Sequence, residues 1–476
     1  MKSIQVRSHK AMNRRQFLAA SMGAGITAML AGPGIGSGLG AAEPAGGNLE
    51  ALFESDDPKL IRMAADVMRN CVLAKIKPPE GTAKRRWLQA GTGDAFYGQW
   101  IWDTMFMVDL LAILPEHKET LRDVFQNYWD FQERWNARFP AYAHNMVATM
   151  IEPRGNTKPW YEYPALSQIP ILGWGLERVY QRNGDKELLR QSLVPLEKFH
   201  EWYWRERDVT ESGLIAVGAY CDEVGLARCE SFDNECCLDD LKLTRHPKRQ
   251  DAAPWPWVGE GRWYGDICLP GNTSYLIQSE RSLARLATIL GDTAMADRRR
   301  KRIEKCVAAV REHMWDQESG VFLAVKRDTF EKIRIGTIGS WMPLIAEIPT
   351  RAMTGRMAEA IKTDHWQTPL PIPTVDRHDK RWVPNSYWRG DVWPAPNYQV
   401  AAGFAQQGYR AAAADIADKT VANALVNGIN EHYDSVTGKP LGVGNLGMSC
   451  AIVSMMLDQL TSKHHLKVRK AVGNTP

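Results

Sequence analysis

Residues 446–457 read LGMSCAIVSMML, and this stretch is apolar on nearly every side when it is wound as an α-helix. Residues 165–175 read ALSQIPILGWG and have the same character. A helix that is apolar all round has to be covered all round. Other segments are amphipathic, and one of them has its apolar residues at spacings of four, three and four: Leu60, Ala64, Val67 and Cys71. The two kinds together predict inner helices inside an outer layer.

The same periodicity marks about twelve helical segments. They lie at 58–75, 99–114, 117–137, 165–182, 186–206, 270–290, 293–314, 338–348, 351–363, 392–407, 409–431 and 446–461. Because no block of the sequence is rich in strands, we predict an all-α fold, namely an (α/α)6 toroid with short strands and loops over its pocket. One domain is expected over residues 48–465, followed by a disordered tail over residues 466–476.

A faint repeat of turn motifs supports the toroid. Asp208-x4-Gly213, Asp316-x3-Gly320 and Asp434-x3-Gly438 each follow a long, charged helix. An Asp followed closely by Gly is typical of a tight turn, because Asp bonds nearby backbone N–H groups and Gly adopts positive φ. The spacing of the motifs fits successive units of several helices.

The first 42 residues differ in character from the rest of the chain. They contain five Lys or Arg residues and no acid, and removing them changes the formal charge of the 476-residue chain from +4 to −1. Arg14-Arg15, an apolar Gly/Ala-rich stretch and Ala41-Ala42 form the pattern of a twin-arginine export signal that is removed from the mature protein. We therefore expect the export machinery as a transient partner and a periplasmic or secreted location. Nucleic acid and membrane are not expected as partners of the mature chain.

Cysteine spacing argues against a metal centre. Cys71 and Cys306 lie in helical apolar stripes and are predicted to be buried. Four other cysteines, at positions 221, 229, 236 and 237, are clustered without the CxxC spacing of zinc sites, although one disulfide among them is compatible with an oxidising compartment. No phosphate-binding Gly loop or nucleotide motif is present, so neither a metal nor a cofactor is expected.

Tryptophan is unusually frequent, with 18 residues. Many lie in polar, Gly- or Pro-containing stretches: Trp100, Trp102, Trp160, Trp255, Trp257, Trp263, Trp382, Trp388 and Trp393. An indole offers a flat apolar face and one N–H donor, which suits the C–H face and hydroxyl rim of a sugar. Any single Trp is more readily explained by packing between helix ends, but the group favours a carbohydrate pocket.

Two carboxylates are candidates for acid–base chemistry at such a pocket. Cleavage of a glycosidic bond needs a proton donor on the leaving oxygen and a second carboxylate on the opposite face of the sugar. Asp233 and Glu431 both end a loop or helix on the same inferred rim of the toroid. Capping and turn formation are the alternative roles of these two residues.

The order of motifs resembles a known group of enzymes. The motifs are Trp-Asp, Ser-Gln-x-Pro, Glu-Ser-x-Asp-Asn, Tyr-Trp-Arg-Gly-x-x-Trp-Pro and Asn-x-x-x-Glu-x-Tyr-Asp, and they span roughly residues 95–460. This order is similar to that of the inverting (α/α)6 glycosidases, above all glycoside hydrolase family 63 with its mannosylglycerate- and glucosylglycerate-hydrolase-like members. Trehalases of family 37 are more distant.

The resemblance implies roles for individual residues. Asp233 would be the general acid and Glu431 the general base, with Arg389 the expected hydrogen-bond donor to Glu431. The residues implied to shape the sugar pocket are Trp102, Asp103, Gln168, Tyr387, Trp388, Arg389, Gly390 and Trp393. Glu230 would orient neighbours of Asp233 or bind hydroxyls. The chain departs from the family pattern at Glu235-Cys236-Cys237, at Asp391 and at Leu446.

These residues predict an exported, inverting, exo-acting α-glycosidase of a small α-gluco- or α-manno-configured substrate. A trehalase-like hydrolase is the nearest alternative. A lyase or epimerase with His144 or Tyr163 as base is a second, and a non-catalytic glycan-binding relative is a third. Hydrolysis that depends on Asp233 separates the hydrolases from the other two classes.

Overall fold

The computed structural model describes residues 48–138, 144–151, 153–154, 167–218 and 264–469. The α-helices of this part of the chain are α1 (Pro58–Val67), α2 (Ile101–Leu111), α3 (Lys118–Arg138), α4 (Leu172–Asn183), α5 (Lys186–Arg207), α6 (Pro270–Leu290), α7 (Thr293–Ala309), α8 (Arg351–Ala360), α9 (Pro394–Gln406), α10 (Arg410–Asn427) and α11 (Ala451–Leu457). Shorter 3₁₀ helices lie at Leu49–Leu52, Leu73–Lys75, Pro115–His117, Ile338–Leu344, Tyr387–Arg389 and Gly447–Cys450, and π-helical turns at Met68–Val72 and Val310–Met314.

Local sequence signals fix several helix ends. The side chain of Asp57 accepts a hydrogen bond from the Lys59 N–H at the start of α1, where Pro58 occupies the first helical position. Asp292 caps α7 in the same way, through the N–H of Met295. At the end of α6, Gly291 takes a left-handed conformation with φ of +85°, which stops the helix.

Within the described ranges, six elements form a closed inner ring. α2 packs on α4, α4 on α6, α6 on the Ile338–Leu344 helix, that helix on α9, and α9 on α11 with its preceding Gly447–Cys450 turn, which returns to α2. Every residue of α2 is buried, as expected of a helix covered on all sides. The predicted (α/α)6 toroid is confirmed.

The outer layer covers this ring with the amphipathic helices. α5 and α7 pack on α6, and α10 packs on α9 and α11. The turn Met68–Val72, which continues α1, lies against α2. Residues 58–75 and 293–314 are thus continuous helical segments, as predicted, although part of each has π-helical geometry. No helix among the described residues combines the length and the apolar character that crossing a bilayer requires.

Short strands connect the helices at the rim. They are β1 (Phe53–Glu54), β2 (Ile76–Lys77), β3 (Trp87–Leu88), β4 (Gln99–Trp100), β5 (Met150–Ile151), β6 (Ala216–Gly218), β7 (Tyr264–Cys268), β8 (Trp315–Asp316), β9 (Val321–Phe322), β10 (Val325–Lys326), β11 (Asn430–Tyr433), β12 (Pro440–Gly444) and β13 (Lys467–Val468). The pairs are antiparallel: β1–β13, β2–β3, β4–β5, β8–β9 and β11–β12, with β7 between β6 and β10.

The three Asp–Gly motifs form turns of one kind. The Asp208 carboxylate accepts a hydrogen bond from the N–H of Gly213, and that of Asp434 accepts from two N–H groups of its own turn. Gly213, Gly320 and Gly438 all have positive φ, between +71° and +89°. The turns therefore have the geometry that the sequence predicts.

The predicted segments 338–348, 351–363, 409–431 and 446–461 all end three or four residues early, and one of these ends bears on the site. Residues 409–431 were expected to be helical, whereas α10 ends at Asn427 and Gly428, with φ of +79°, takes the chain out of the helix. Glu431 consequently lies on strand β11 instead of at a helix end. Cys71 and Cys306 are buried, as predicted, while the cysteines at 221, 229, 236 and 237 lie outside the described residues.

A network of buried charges joins the inner helices. The Asp109 carboxylate of α2 accepts hydrogen bonds at 3.0 Å from Arg178 Nε and Arg182 Nε, both on α4. The same guanidinium groups reach Asp458, just after α11, at 2.8 and 2.9 Å. Burial acts to raise the pKa of Asp109, but the two arginines overcome it and hold that pKa well below its usual range.

Replacing Asp109 with Asn is therefore expected to destabilise the fold strongly. Asp109→Asn keeps the shape of the side chain but leaves two largely buried arginines with Asp458 as their one remaining described acidic partner, at a cost of about 3–5 kcal/mol in the free energy of unfolding. Denaturant unfolding measures this loss. The control Asp66→Asn removes an exposed pair with Arg69 and should change stability by less than about 1 kcal/mol. Equal effects of the two substitutions would contradict the structural role of Asp109.

Candidate active site

A hairpin at the rim places the Glu431 side chain in a buried position. Strand β11 pairs with β12, and the Asp434 turn connects them. Glu431 lies within β11 with only 3% of its surface exposed. A carboxylate with so little contact with water needs hydrogen-bond donors from the protein if it is to stay charged.

Two donors from the described part of the chain reach the Glu431 carboxylate. The Tyr387 hydroxyl donates to Oε1 at 3.2 Å, and the backbone N–H of Val443, on β12, donates to Oε2 at 2.9 Å. Burial raises the pKa of Glu431, whereas the neighbouring His432 and these two donors lower it. The net pKa lies above that of a free glutamate, so Glu431 is a better proton acceptor than an exposed carboxylate.

The backbone of β12 lies directly against Glu431. At Gly442, which has φ of +69°, a Cβ atom would collide with Oε2 of Glu431. Both the left-handed conformation and this close approach require glycine. The hairpin therefore fixes the carboxylate from one side, while the Tyr387 hydroxyl holds it from the other.

Aromatic rings form a wall beside Glu431. Trp388 and Trp393 stack with ring centroids 3.9 Å apart and planes 6° apart. His432 stacks on Trp393 at 4.7 Å, and Tyr387 meets Trp393 edge-on at 5.0 Å. These four side chains pack closely on one another, and the Trp393 ring is stacked against both Trp388 and His432.

The Tyr387–Arg389 turn that carries this wall is tightly held. Tyr387 has φ of +56°, which is rare for an aromatic residue and costs conformational energy. The turn is closed by hydrogen bonds from the Arg389 N–H to the Ser386 carbonyl and from the Val383 N–H to the Arg389 carbonyl. A Cβ atom on Gly390 would approach the Val383 oxygen to 2.9 Å, so a residue without a side chain is needed there.

A second carboxylate, Asp103, lies within electrostatic reach of Glu431. It is in the first turn of α2 and is 7% exposed. Burial, and secondly the negative charge of Glu431, raise the pKa of Asp103 to about 7. A buried acid whose pKa is raised by burial and by a neighbouring carboxylate is typical of sites that transfer protons.

The start of α2 is joined to two other inner elements. The backbone N–H of Trp102 donates to the side-chain oxygen of Gln168, just before α4, at 2.8 Å. The Trp102 indole N–H points to the sulfur of Met448 at 3.0 Å. Gln168 thus orients the helix that carries Asp103, and it does so from a sequence position 66 residues away.

Several polar atoms in this region have no hydrogen-bond partner among the described residues. They include the indole N–H groups of Trp388 and Trp393 and the Oδ1 atom of Asp103. All three are fully buried, and unpaired buried polar groups are costly.

The structure assembles most of the predicted site from distant parts of the chain. The contacts, some of them through His432, join Glu431 to Tyr387, Trp388 and Trp393. The negative charge of Glu431 also raises the pKa of Asp103. Glu230 and Asp233 lie outside the described residues. Of the alternative bases, Tyr163 is also outside them, and the carbonyl of His144 accepts a hydrogen bond from the Arg205 side chain.

Sequence reasoning missed three contributors to the site. Val443 acts through its backbone, which no side-chain motif reveals. His432 follows Glu431 directly in the chain and lies 3.0 Å from Asp391, measured between Nδ1 and Oδ2. Lys75 is buried and its charge acts on Asp103. Glu431 receives its described hydrogen bonds from Tyr387 and Val443, whereas Arg389 was the donor expected from the sequence.

Another surface cleft lies elsewhere, between α5 and α7. Its volume is about 460 Å³, and Glu201, Trp204, Arg302 and Lys305 are among the residues that line it. None of the described site residues lies on its walls. The cleft mixes acidic and basic side chains that pair with each other, as Glu201 does with Arg302 at 2.9 Å, so the chemistry is assigned to the Glu431 region.

Comparison with known proteins defines the class. Residues 96–449 match the family described as the mannosylglycerate hydrolase MGH1-like glycoside hydrolase domain. The protein is a glycoside hydrolase. Because the match covers most of the chain, it belongs to this MGH1-like family, and the resemblance to glycoside hydrolase family 63 is confirmed.

Individual relatives agree with this assignment. A mannosylglycerate hydrolase of Thermus thermophilus is 30% identical over 321 residues, which is 60% of this chain and 76% of that protein. Two solved structures of a GH63 mannosylglycerate hydrolase from Thermus thermophilus are similar to this chain, and each comparison covers 83% of this chain and 98% of the solved one. The structure with glucose has a TM-score of 0.62 and 20% identity. The structure with Tris and D-glycerate has a TM-score of 0.64 and 19% identity. Periplasmic trehalase of Escherichia coli is a more distant relative, 21% identical over 420 residues, or 76% of this chain and 71% of that protein.

The packing of β12 on Glu431 gives a sharp test of the site. Gly442→Ala would drive a Cβ atom against Oε2 and strain a left-handed residue, displacing the carboxylate. We expect turnover of a glycoside substrate to fall by about 10²-fold, as for other displacements of roughly 1 Å in an active site. Steady-state kinetics and circular dichroism measure turnover and folding.

A matched control is available on the same strand. Gly444 has open space around it, since a Cβ atom there would lie 3.7 Å from its nearest neighbour, Oδ1 of Asn430. Gly444→Ala should therefore leave turnover within about twofold of wild type. Comparable losses of turnover in the two variants would mean that turnover depends on the hairpin in general and not on the position of the Glu431 carboxylate.

Proposed function

We propose that this protein is an exported, inverting, exo-acting α-glycosidase that hydrolyses a small α-mannoside or α-glucoside. The observation that carries the proposal is the Glu431 carboxylate, buried beside an aromatic wall and held by two hydrogen-bond donors. Glu431 acts as the general base, because its pKa is raised by burial yet its charged form is supported by Tyr387 and Val443.

The proposed reaction needs one water and two carboxyl groups. Glu431 removes a proton from water as the water oxygen bonds to the anomeric carbon, and the bond from that carbon to the leaving oxygen breaks. Asp233, which lies outside the described residues, donates the proton to the leaving oxygen. The product has the opposite anomeric configuration, β from an α-glycoside. The aromatic wall supports the sugar through Trp388, which Trp393 backs by stacking on it, and Asp103 accepts a hydroxyl hydrogen bond.

The proposed substrate is a hexose linked to a small hydroxy acid. This choice is supported by the relatives, one named mannosylglycerate hydrolase and one solved with D-glycerate. A small substrate fits an exo mode, in which a single terminal sugar enters the pocket. Trehalose is the alternative substrate, favoured by the relationship to periplasmic trehalase.

A product analysis by proton NMR tests the function. Mannosylglycerate, glucosylglycerate and trehalose are incubated with the enzyme, and the anomeric signals of the first product are recorded. We expect one of the glycosylglycerates to be hydrolysed with the β-sugar appearing first. Preferential cleavage of trehalose would support the alternative, and an initial α-sugar would contradict inversion.

Substitution of the base completes that experiment. Glu431→Gln should lower kcat by about 10²–10⁴-fold while substrate binding persists, since Gln keeps the shape and loses the proton acceptor. Glu318→Gln is the control, because Glu318 is on the surface with its side chain 81% exposed. Full activity of Glu431→Gln, or ligand binding without hydrolysis by the wild type, would contradict the proposed enzyme.

The hydrogen bond from Tyr387 predicts a shift in pH dependence. The base must be ionised, so activity rises with pH through the pKa of Glu431. The Tyr387 hydroxyl lowers that pKa, and Tyr387→Phe should raise it, moving the acidic limb of kcat upward by about one pH unit. Tyr409→Phe removes a hydroxyl bonded to Arg351 and should leave the limb in place. An unchanged limb in Tyr387→Phe would argue against Glu431 as the base.

The export part of the proposal is carried by the first 42 residues. Their paired arginines, apolar middle and Ala41-Ala42 end support transport by the twin-arginine route and a periplasmic or secreted mature protein. N-terminal sequencing of the protein recovered outside the cytoplasm tests this, and an uncleaved chain retained inside would contradict it.

A further inference from the structure

A cluster of metal-binding side chains lies on the surface after α8. Asp364, His365 and His378 each offer one ligand atom, and these atoms all lie within 4.8 Å of one another. The cluster joins two segments of the loop between α8 and the Tyr387–Arg389 turn. None of the three residues belongs to the proposed catalytic machinery.

Another carboxylate fixes the orientation of the His365 ring by bonding to its Nδ1 atom. Asp376 has its two oxygens 2.9 and 2.8 Å from Nδ1 of His365. Asp376 is itself held by the backbone N–H of His378 at 2.8 Å. A hydrogen bond from Nδ1–H to a carboxylate leaves Nε2 as the atom with the free lone pair, which is the usual arrangement of metal-binding histidines.

The two segments are also held together by the backbone. The N–H of Arg377 donates to the His365 carbonyl at 2.9 Å, and the N–H of Asp376 donates to the Gly336 carbonyl at 3.0 Å. Trp366, next to His365, is 3% exposed and meets Trp341 of the inner ring edge-on at 5.1 Å. The cluster is therefore built on a fixed frame, which reduces the entropic cost of binding an ion.

One pair of ligand atoms already has a spacing that suits a shared ion. His378 Nε2 and Asp364 Oδ2 are 3.0 Å apart, close to the separation of two ligands that each lie about 2.0–2.1 Å from one zinc ion. The rings of His365 and His378 lie 4.2 Å apart with planes 29° apart. Both side chains are about half exposed, so their rings can turn toward a shared ion without disturbing the core.

We propose that Asp364, His365 and His378 bind a divalent transition-metal ion of the zinc type. Two imidazole nitrogens and one carboxylate oxygen match zinc, nickel or copper, whereas calcium and magnesium prefer oxygen ligands alone. Water supplies the remaining coordination. The ion crosslinks residues 364–365 to residue 378 and so stabilises the loop that leads to the aromatic wall.

Zinc titration of the full chain, produced without a polyhistidine tag and treated with EDTA, tests the proposal. Isothermal titration calorimetry gives the number of zinc ions bound, and a thermal melt gives the shift of the midpoint with zinc. Wild-type protein should bind one more equivalent of zinc than either His365→Ala or His378→Ala. Zinc should also raise the melting temperature of the wild type by more than it raises that of the two variants. Any binding to the cysteines is common to all three proteins and cancels in the comparison.

Two further variants separate a built site from surface histidines in general. Asp376→Asn should weaken zinc binding by about 10–100-fold without removing a ligand, because it releases His365. His465→Ala removes an exposed histidine elsewhere and should bind zinc like the wild type. Should His365→Ala not fold, as judged by circular dichroism, His365→Gln replaces it. The same number of zinc ions and the same affinity in wild type and the two histidine variants would overturn the proposal.

Discussion

The closed ring of buried helices depends on the neutralisation of one buried charge. Asp109 lies on a helix with no exposed residue, and its carboxylate would be untenable there without Arg178 and Arg182. The same arginines bind Asp458, so α2, α4 and the end of α11 are fixed to one another. Ser454 donates a further hydrogen bond to Asp109 at 2.8 Å. Apolar packing closes the ring, and this network sets which helices meet.

In the candidate active site, too, the charges and hydrogen-bond donors around a buried carboxylate set its pKa. Asp109 is surrounded by positive charge and its pKa is held down, whereas Glu431 receives fewer donors and its pKa is raised. Asp103, further from positive charge and near Glu431, has a pKa of about 7. These three buried carboxylates of one toroid thus have three proton affinities, and each is set by what the fold places around it.

Sequence patterns predicted the helices well because burial imposes a period of 3.6 residues on them. The predicted end of α10 was wrong, because Gly428 ends the helix although the helical pattern of the sequence continues toward Glu431. The consequence is functional, since a strand and not a helix presents the proposed base. The aromatic wall was predicted from the Tyr387–Trp393 motif, but its stacking on His432 was not, because stacking depends on how two distant segments meet.

The sequence by itself determined the toroid, the family and the candidate residues, since periodicity and the order of motifs can be read along the chain before it folds. The tertiary structure decided the partners of those residues. Tyr387 and Val443 bond to Glu431 only because the β11–β12 hairpin folds against a turn 44 residues earlier in the chain. Hydrogen bonds, proton affinities and shared ligand positions depend on distances of a few ångströms between remote segments, and such distances follow from packing.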